Sequence, residues 1–132
     1  MDKHWVFKYL GRPYIVDKYD CLNLCIDILK EQYGITTVLF SNHGETTLER
    51  QKLLTLGLPD YSEELSTPLD GCVTVLSYGG RARHLGIYYT YRGTGNIIHL
   101  GSKTNGTITV KANRLDTQCL RLVSYVQYKS II

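Results

Sequence analysis

The chain has 132 residues, 43% hydrophobic and 20% charged, with a formal net charge of +3. That length supports one domain with its own core and no need of disulfide staples, and the balance excludes a low-complexity or disordered chain. The mild positive charge falls in short local pairings, of which Arg81-Ala82-Arg83 is the densest. No basic stripe emerges, which argues against a nucleic-acid partner.

Read in chain order, Asp2 to Leu10 places Trp5, Val6, Tyr9 and Leu10 on one side and predicts a short helix. Gly11-Arg12-Pro13 ends it, because glycine tolerates a left-handed cap and proline cannot continue a helix. This N-terminus has no signal-peptide apolar run or small-residue cleavage site, and no segment reaches the length of a membrane span. The expectation is a protein made in the cytoplasm and left there unless something else exports it. Tyr14 to Tyr19 reads as an extended loop. Asp20 is then a good N-cap for a helix over Cys21 to Tyr33, stopped by Gly34. Leu22, Cys25, Ile26, Leu29 and Tyr33 recur at helical spacing, widened by Leu24 and Ile28, so the helix is expected to be largely buried.

A third helix is predicted over Glu45 to Leu56, with Gly57-Leu58-Pro59 as its stop, and Tyr61 to Leu69 reads as a linker. From Asp70 the pattern turns strand-like: 72–77, 85–91, 96–100, 107–111 and 121–128. Gly79-Gly80, Arg92-Gly93-Thr94-Gly95 and Thr104-Asn105-Gly106 punctuate them as turns. Helices first and a meander of antiparallel strands afterwards predict an α+β fold, N-terminal helices on a sheet of about five strands, in a single domain over 1–132.

The chemistry gathers at three residues. Cys21 opens the second helix, where helix amides lower a thiol pKa and its own backbone N–H can serve as an oxyanion donor. His84 opens the strand Leu85-Gly86-Ile87-Tyr88, and Gly86 is expected to let a neighbouring element, such as the nucleophile's helix, come close. His99, framed by Ile98 and Leu100, must point to the face opposite both, because strand side chains alternate. Cysteine, then histidine, then a polar residue on a helix and two neighbouring strands is the order a thiol hydrolase of papain type needs. His4 and His43 lack such a frame and read as surface residues. Cys21, Cys25, Cys72 and Cys119 show no CxxC spacing, so neither zinc nor any other cofactor is expected. Cys25 reads as a small buried hydrophobe.

Tyr19-Asp20-Cys21-Leu22-Asn23-Leu24 resembles the nucleophile motif of NlpC-type cysteine peptidases, cell-wall hydrolases with a papain-like core, and most nearly their phage tail branch. Trp5-Val6 through Tyr9-Leu10-Gly11-Arg12-Pro13-Tyr14 resembles that branch's opening helix and Gly-x-Pro-Tyr loop. His84-Leu85-Gly86-Ile87-Tyr88 is similar to the family's histidine strand, and Ile98-His99-Leu100 to the strand carrying its third residue. The resemblance runs from about Trp5 to Leu100. It implies a cysteine endopeptidase that cuts stem-peptide amide bonds of bacterial peptidoglycan through a Cys21–His84–His99 triad. It also implies a place in a virion tail among other phage tail proteins. For Tyr14 it implies a hydroxyl in the oxyanion site; the alternative is a loop aromatic packed on the helix. Asn23 stands where the family usually has glycine and is expected to crowd the helix packing. Asp70-Gly71 stands where the family has the reverse pair. Two other functions stay open: a tail assembly or structural subunit with an inactive hydrolase fold, and a thiol amidase or acyltransferase. The acyltransferases most often compared have histidine before cysteine, unlike this chain.

Overall fold

The computed structural model describes residues 4–15, 18–36, 62–78, 82–101 and 106–129. The helix predicted over Glu45 to Leu56, its stop, His43 and the Gly79-Gly80 turn lie outside these residues.

The first predicted helix is much shorter than expected: a single 3-10 turn, Trp5–Lys8. Its aromatic residues are used for tertiary contacts instead of helix extension. The Trp5 ring meets Tyr9, Tyr33 and Tyr89 edge-on, and such contacts override a weak local preference. His4, expected at the surface, is half-buried. Its Nδ1 accepts the Val6 N–H at 3.1 Å, and its ring packs against Trp5, Tyr89 and Tyr91.

Helix α1, Cys21–Tyr33, has the expected bounds, and both ends have the expected cause. Asp20 Oδ1 accepts the N–H groups of Leu22 and Asn23 at 3.0 and 3.2 Å, while Asn23 Oδ1 accepts the Asp20 N–H at 3.1 Å. This reciprocal capping box satisfies amides that the first helical turn leaves open. Gly34 ends the helix in the left-handed conformation at φ +65°. Leu22, Leu24, Cys25, Ile28 and Leu29 are its buried face, so Cys25 is the core residue its spacing suggested.

Six strands form one sheet in the order β1-β6-β2-β3-β4-β5, every neighbouring pair antiparallel. They are β1 Ser62–Leu65, β2 Val73–Tyr78, β3 Ala82–Tyr91, β4 Thr94–His99, β5 Ile108–Lys111 and β6 Leu120–Tyr128. The predicted meander is real for β2 to β5, whereas β6 returns to the other side of β2. Strand β1 falls in the expected linker. Its Ser-Glu-Glu-Leu stretch is polar because it is an edge, held by pairing with Tyr125–Tyr128. The β3–β4 turn is also tighter than expected: Arg92 and Gly93 alone make it, at φ +52° and +77°, the positive values a two-residue hairpin needs. Between β5 and β6 a 3-10 segment, Ala112–Gln118, buries Leu115 against the sheet face opposite α1.

Two apolar layers result. Val73, Val75, Leu85, Ile87, Tyr89 and Ile98 pack with α1 on one face of the sheet, and Leu76, Ile97, Val110, Leu115 and Leu120 pack on the other. The fold is α+β. Among the described residues, no helix is long and apolar enough to cross a membrane.

Candidate active site

Register brings the two predicted strand histidines together. His99 pairs directly with Gly86 in the β3–β4 ladder, and His84 lies two residues before Gly86 on the same face. The imidazoles meet edge to face, with His84 Nε2 and His99 Nδ1 2.9 Å apart. Both side chains are buried, His84 at 4% exposure and His99 at 0%. The alternation expected of His99 holds: Ile98 and Leu100 join the core under α1, and the imidazole takes the opposite face.

Cys21 comes from the helix side against Leu85, the residue after His84, while the two imidazoles lie on the sheet face opposite α1. The His99–Gly86 pair is the last of the β3–β4 ladder, so the backbone N–H of Leu85 lies just beyond it. That N–H points at the Cys21 sulfur, joined there by the amides of Leu22 and of Cys21 itself. The thiol is therefore held against the residue next to His84, at the edge where β4 leaves β3.

The electrostatics differ from expectation. Three amides do favour the thiolate, but burial outweighs them and pushes the Cys21 thiol above its ordinary value. Burial, with the neighbouring His99 adding to it, holds His84 down to about 3, and burial holds His99 down to about 4. At neutral pH the resting state is a neutral thiol and two neutral imidazoles, with no thiolate–imidazolium pair formed in advance.

Other expectations resolve in detail. Gly86 does not make room for α1. A Cβ there would meet Ile97 Cγ2 at 2.6 Å, the Ile98 carbonyl oxygen at 2.9 Å and Thr74 Oγ1 at 3.0 Å, so the close neighbours are the flanking strands. Asn23 does not crowd the helix, because its side chain is half of the capping box. Asp70 and Gly71 brace the sheet. Asp70 Oδ1 accepts the Thr90 N–H at 2.7 Å, and Gly71 sits at φ +89° where a Cβ would lie 2.5 Å from the Tyr33 ring. Tyr14 packs half-buried against the core cluster.

One supporting cluster escaped the sequence analysis, which read Arg12 only as part of a helix stop. Arg12 Nη1 donates to the Tyr19 hydroxyl at 2.7 Å and to Asp27 Oδ2 at 3.1 Å, and the Tyr19 hydroxyl donates to Asp27 at 2.7 Å. The guanidinium also stacks over the Tyr9 ring, 4.4 Å from its centre. Backbone hydrogen bonds from Gly11 to Thr107 and from Thr107 to Arg12 pin the other side of the loop. The chain leading into Cys21 is thus tied to α1 and to the start of β5 at once.

Compared with family models, curated proteins and solved structures, the chain matches none of them.

Proposed function

We propose that this chain is a cysteine peptidase with a papain-like core of NlpC type, acting on the stem peptides of bacterial peptidoglycan from a phage or prophage tail. The observation that carries the proposal is the 2.9 Å contact between His84 and His99 beside a helix-start cysteine whose sulfur accepts the Leu85 N–H. His84 and His99 are in hydrogen-bond contact, and Cys21 lies against the Leu85 amide next to His84, an arrangement that supports the reading. The peptidoglycan substrate and the tail location rest on the motif resemblance alone.

In this mechanism His84 engages His99 through Nε2, and its Nδ1 acts as base toward Cys21. As the sulfur attacks the amide carbon, its proton passes to Nδ1, and the imidazolium then protonates the departing amine. Water hydrolyses the thioester by the reverse proton path. Because the resting pair is neutral, the proton moves during attack, and the charged pair exists only in the transition state and intermediates. The Leu85 amide, already directed at the sulfur, stabilises the charge that develops there.

A second reading has its own support. The thiol is pushed up and both imidazoles are pushed down by burial, the condition of a closed, inactive hydrolase fold kept as a structural tail subunit. Digestion of purified peptidoglycan, with mass spectrometry of the new termini, separates the two. The peptidase produces new amino and carboxyl termini within stem peptides. Intact stem peptides from every wall type tried would leave the structural subunit as the function.

A further inference from the structure

Two buried side-chain atoms among the described residues have no hydrogen-bond partner, His99 Nε2 and Thr74 Oγ1. Both residues are fully buried, and an unpartnered buried polar atom is costly enough to require a reason. Register relates them. Thr74 on β2 pairs with Gly86 on β3, and Gly86 pairs with His99 on β4. Directly paired residues share a face, so the three form one row across the sheet with no side chain in the middle. Thr74 Oγ1 lies 3.0 Å from the point a Gly86 Cβ would occupy, which puts the hydroxyl over the glycine, between the outer strands. Such a row spans roughly 9–11 Å between its outer Cα atoms. An imidazole reaching in from one side and a hydroxyl from the other leave a gap that one buried water closes.

Resting on the peptidase reading above, we propose that Thr74 is a positioning residue that fixes where the protons sit on the two imidazoles, by holding one buried water that accepts the His99 Nε2–H. The Ile98 carbonyl oxygen, 2.9 Å from the same point over Gly86, sets the direction. A carbonyl only accepts, so the water gives one proton to it and the other to Thr74 Oγ1, and a lone pair of the water is left for His99. His99 then carries its proton on Nε2 and accepts at Nδ1 from His84 Nε2–H. His84 consequently has an unprotonated Nδ1, the form a base toward Cys21 requires. Without the hydroxyl, the pair relaxes to its other arrangement. His99 carries its proton on Nδ1 and donates to His84 Nε2, and the His84 proton sits on Nδ1. The number of protons is unchanged, but His84 can no longer take one from the thiol, the wrong-tautomer fault that an orienting group prevents in a serine triad.

Long-range proton–nitrogen correlation spectra of histidine-labelled protein at pH 7.5 test this, since they distinguish protonated from bare ring nitrogens. Wild type is expected to show the Nε2–H form at both His84 and His99. In Thr74→Val at least about half of His84 should move to the Nδ1–H form, and kcat on peptidoglycan should fall about three- to tenfold at unchanged KM. Thr74→Ser, which keeps the hydroxyl, should restore the wild-type spectrum and rate, a rescue that a packing role for the methyl group would not give. Thr74→Ala supplies the same measurement if Thr74→Val does not fold. A hydroxyl-free variant with His84 still in the Nε2–H form would overturn the assignment. A wild type that cuts no peptidoglycan would overturn the peptidase reading instead, and the spectra would still decide the role of Thr74.

Discussion

Replacing Cys21 with alanine is expected to lower cleavage of peptidoglycan stem peptides by at least about a thousandfold, the scale on which loss of a nucleophile removes the covalent route. The fold should survive. Asp20 and Asn23, not the thiol, cap α1, and the α1 core contacts are made by Leu22, Leu24, Cys25, Ile28 and Leu29. The stability change is therefore expected to stay below about 1 kcal/mol. Paired digests and thermal melts of wild type and Cys21→Ala measure both quantities. A Cys21→Ala protein that still cleaves at the wild-type rate would remove the thiol from the chemistry, whatever its melting point.

A second large effect concerns acid. His84 and His99 are neutral in the folded protein because burial holds their values far below the ordinary 6.5. In the unfolded chain both bind protons once the pH falls through 6.5, so unfolding takes up protons the native state does not bind. Stability is thus full above pH 6.5 and declines as pH drops toward the folded values, at up to about 1.4 kcal/mol per pH unit for each imidazole. Between pH 7.5 and 5 the two together cost about 4 kcal/mol, a large part of a typical total of about 5–15 kcal/mol. This window lies above the range of ordinary carboxylates, which isolates the histidines. Urea denaturation across it should show the decline in wild type and roughly half of it in His99→Gln, which retains one buried imidazole. A flat profile in wild type would mean that the pair accepts protons in the native state.

The parts of the fold legible in the sequence are those set by local chemistry. Asp20, the apolar stripe and Gly34 define α1 to the residue because cap, face and stop are all written within fifteen positions. The facing of His99 followed from Ile98 and Leu100 on either side of it, since alternation in a strand is a property of the backbone. Strand β1 was not legible, because Ser62, Glu63 and Glu64 are held by β6 and not by any preference of their own. The same holds for the 3-10 segment Ala112–Gln118, whose one buried anchor, Leu115, clusters with buried residues of four different strands.

At the candidate site, the pairing of His84 with His99 could be read and the energetics could not. A helix start promises amides to a cysteine, and the amides of Leu22 and Cys21 are there. The burial that outweighs them comes from the core cluster around it, whose strand residues lie more than fifty positions away. Gly86 signalled a close approach, but only pairing shows that Thr74, Ile97 and Ile98 make it. Thr74 itself carries no local mark, being one residue of an ordinary β-rich run until the register sets it in line with His99.

The most direct measurement of the central claim is the mass of the protein during turnover. Acid quenching stops the reaction with the thioester intact, and digestion then locates the added mass. The account predicts a transient stem-peptide adduct on the peptide containing Cys21, absent from Cys21→Ala and accumulating in His84→Gln only slowly. Product formed with no adduct at any time, or an adduct on Cys119, the exposed thiol on the far side of the β5–β6 connection, would contradict it.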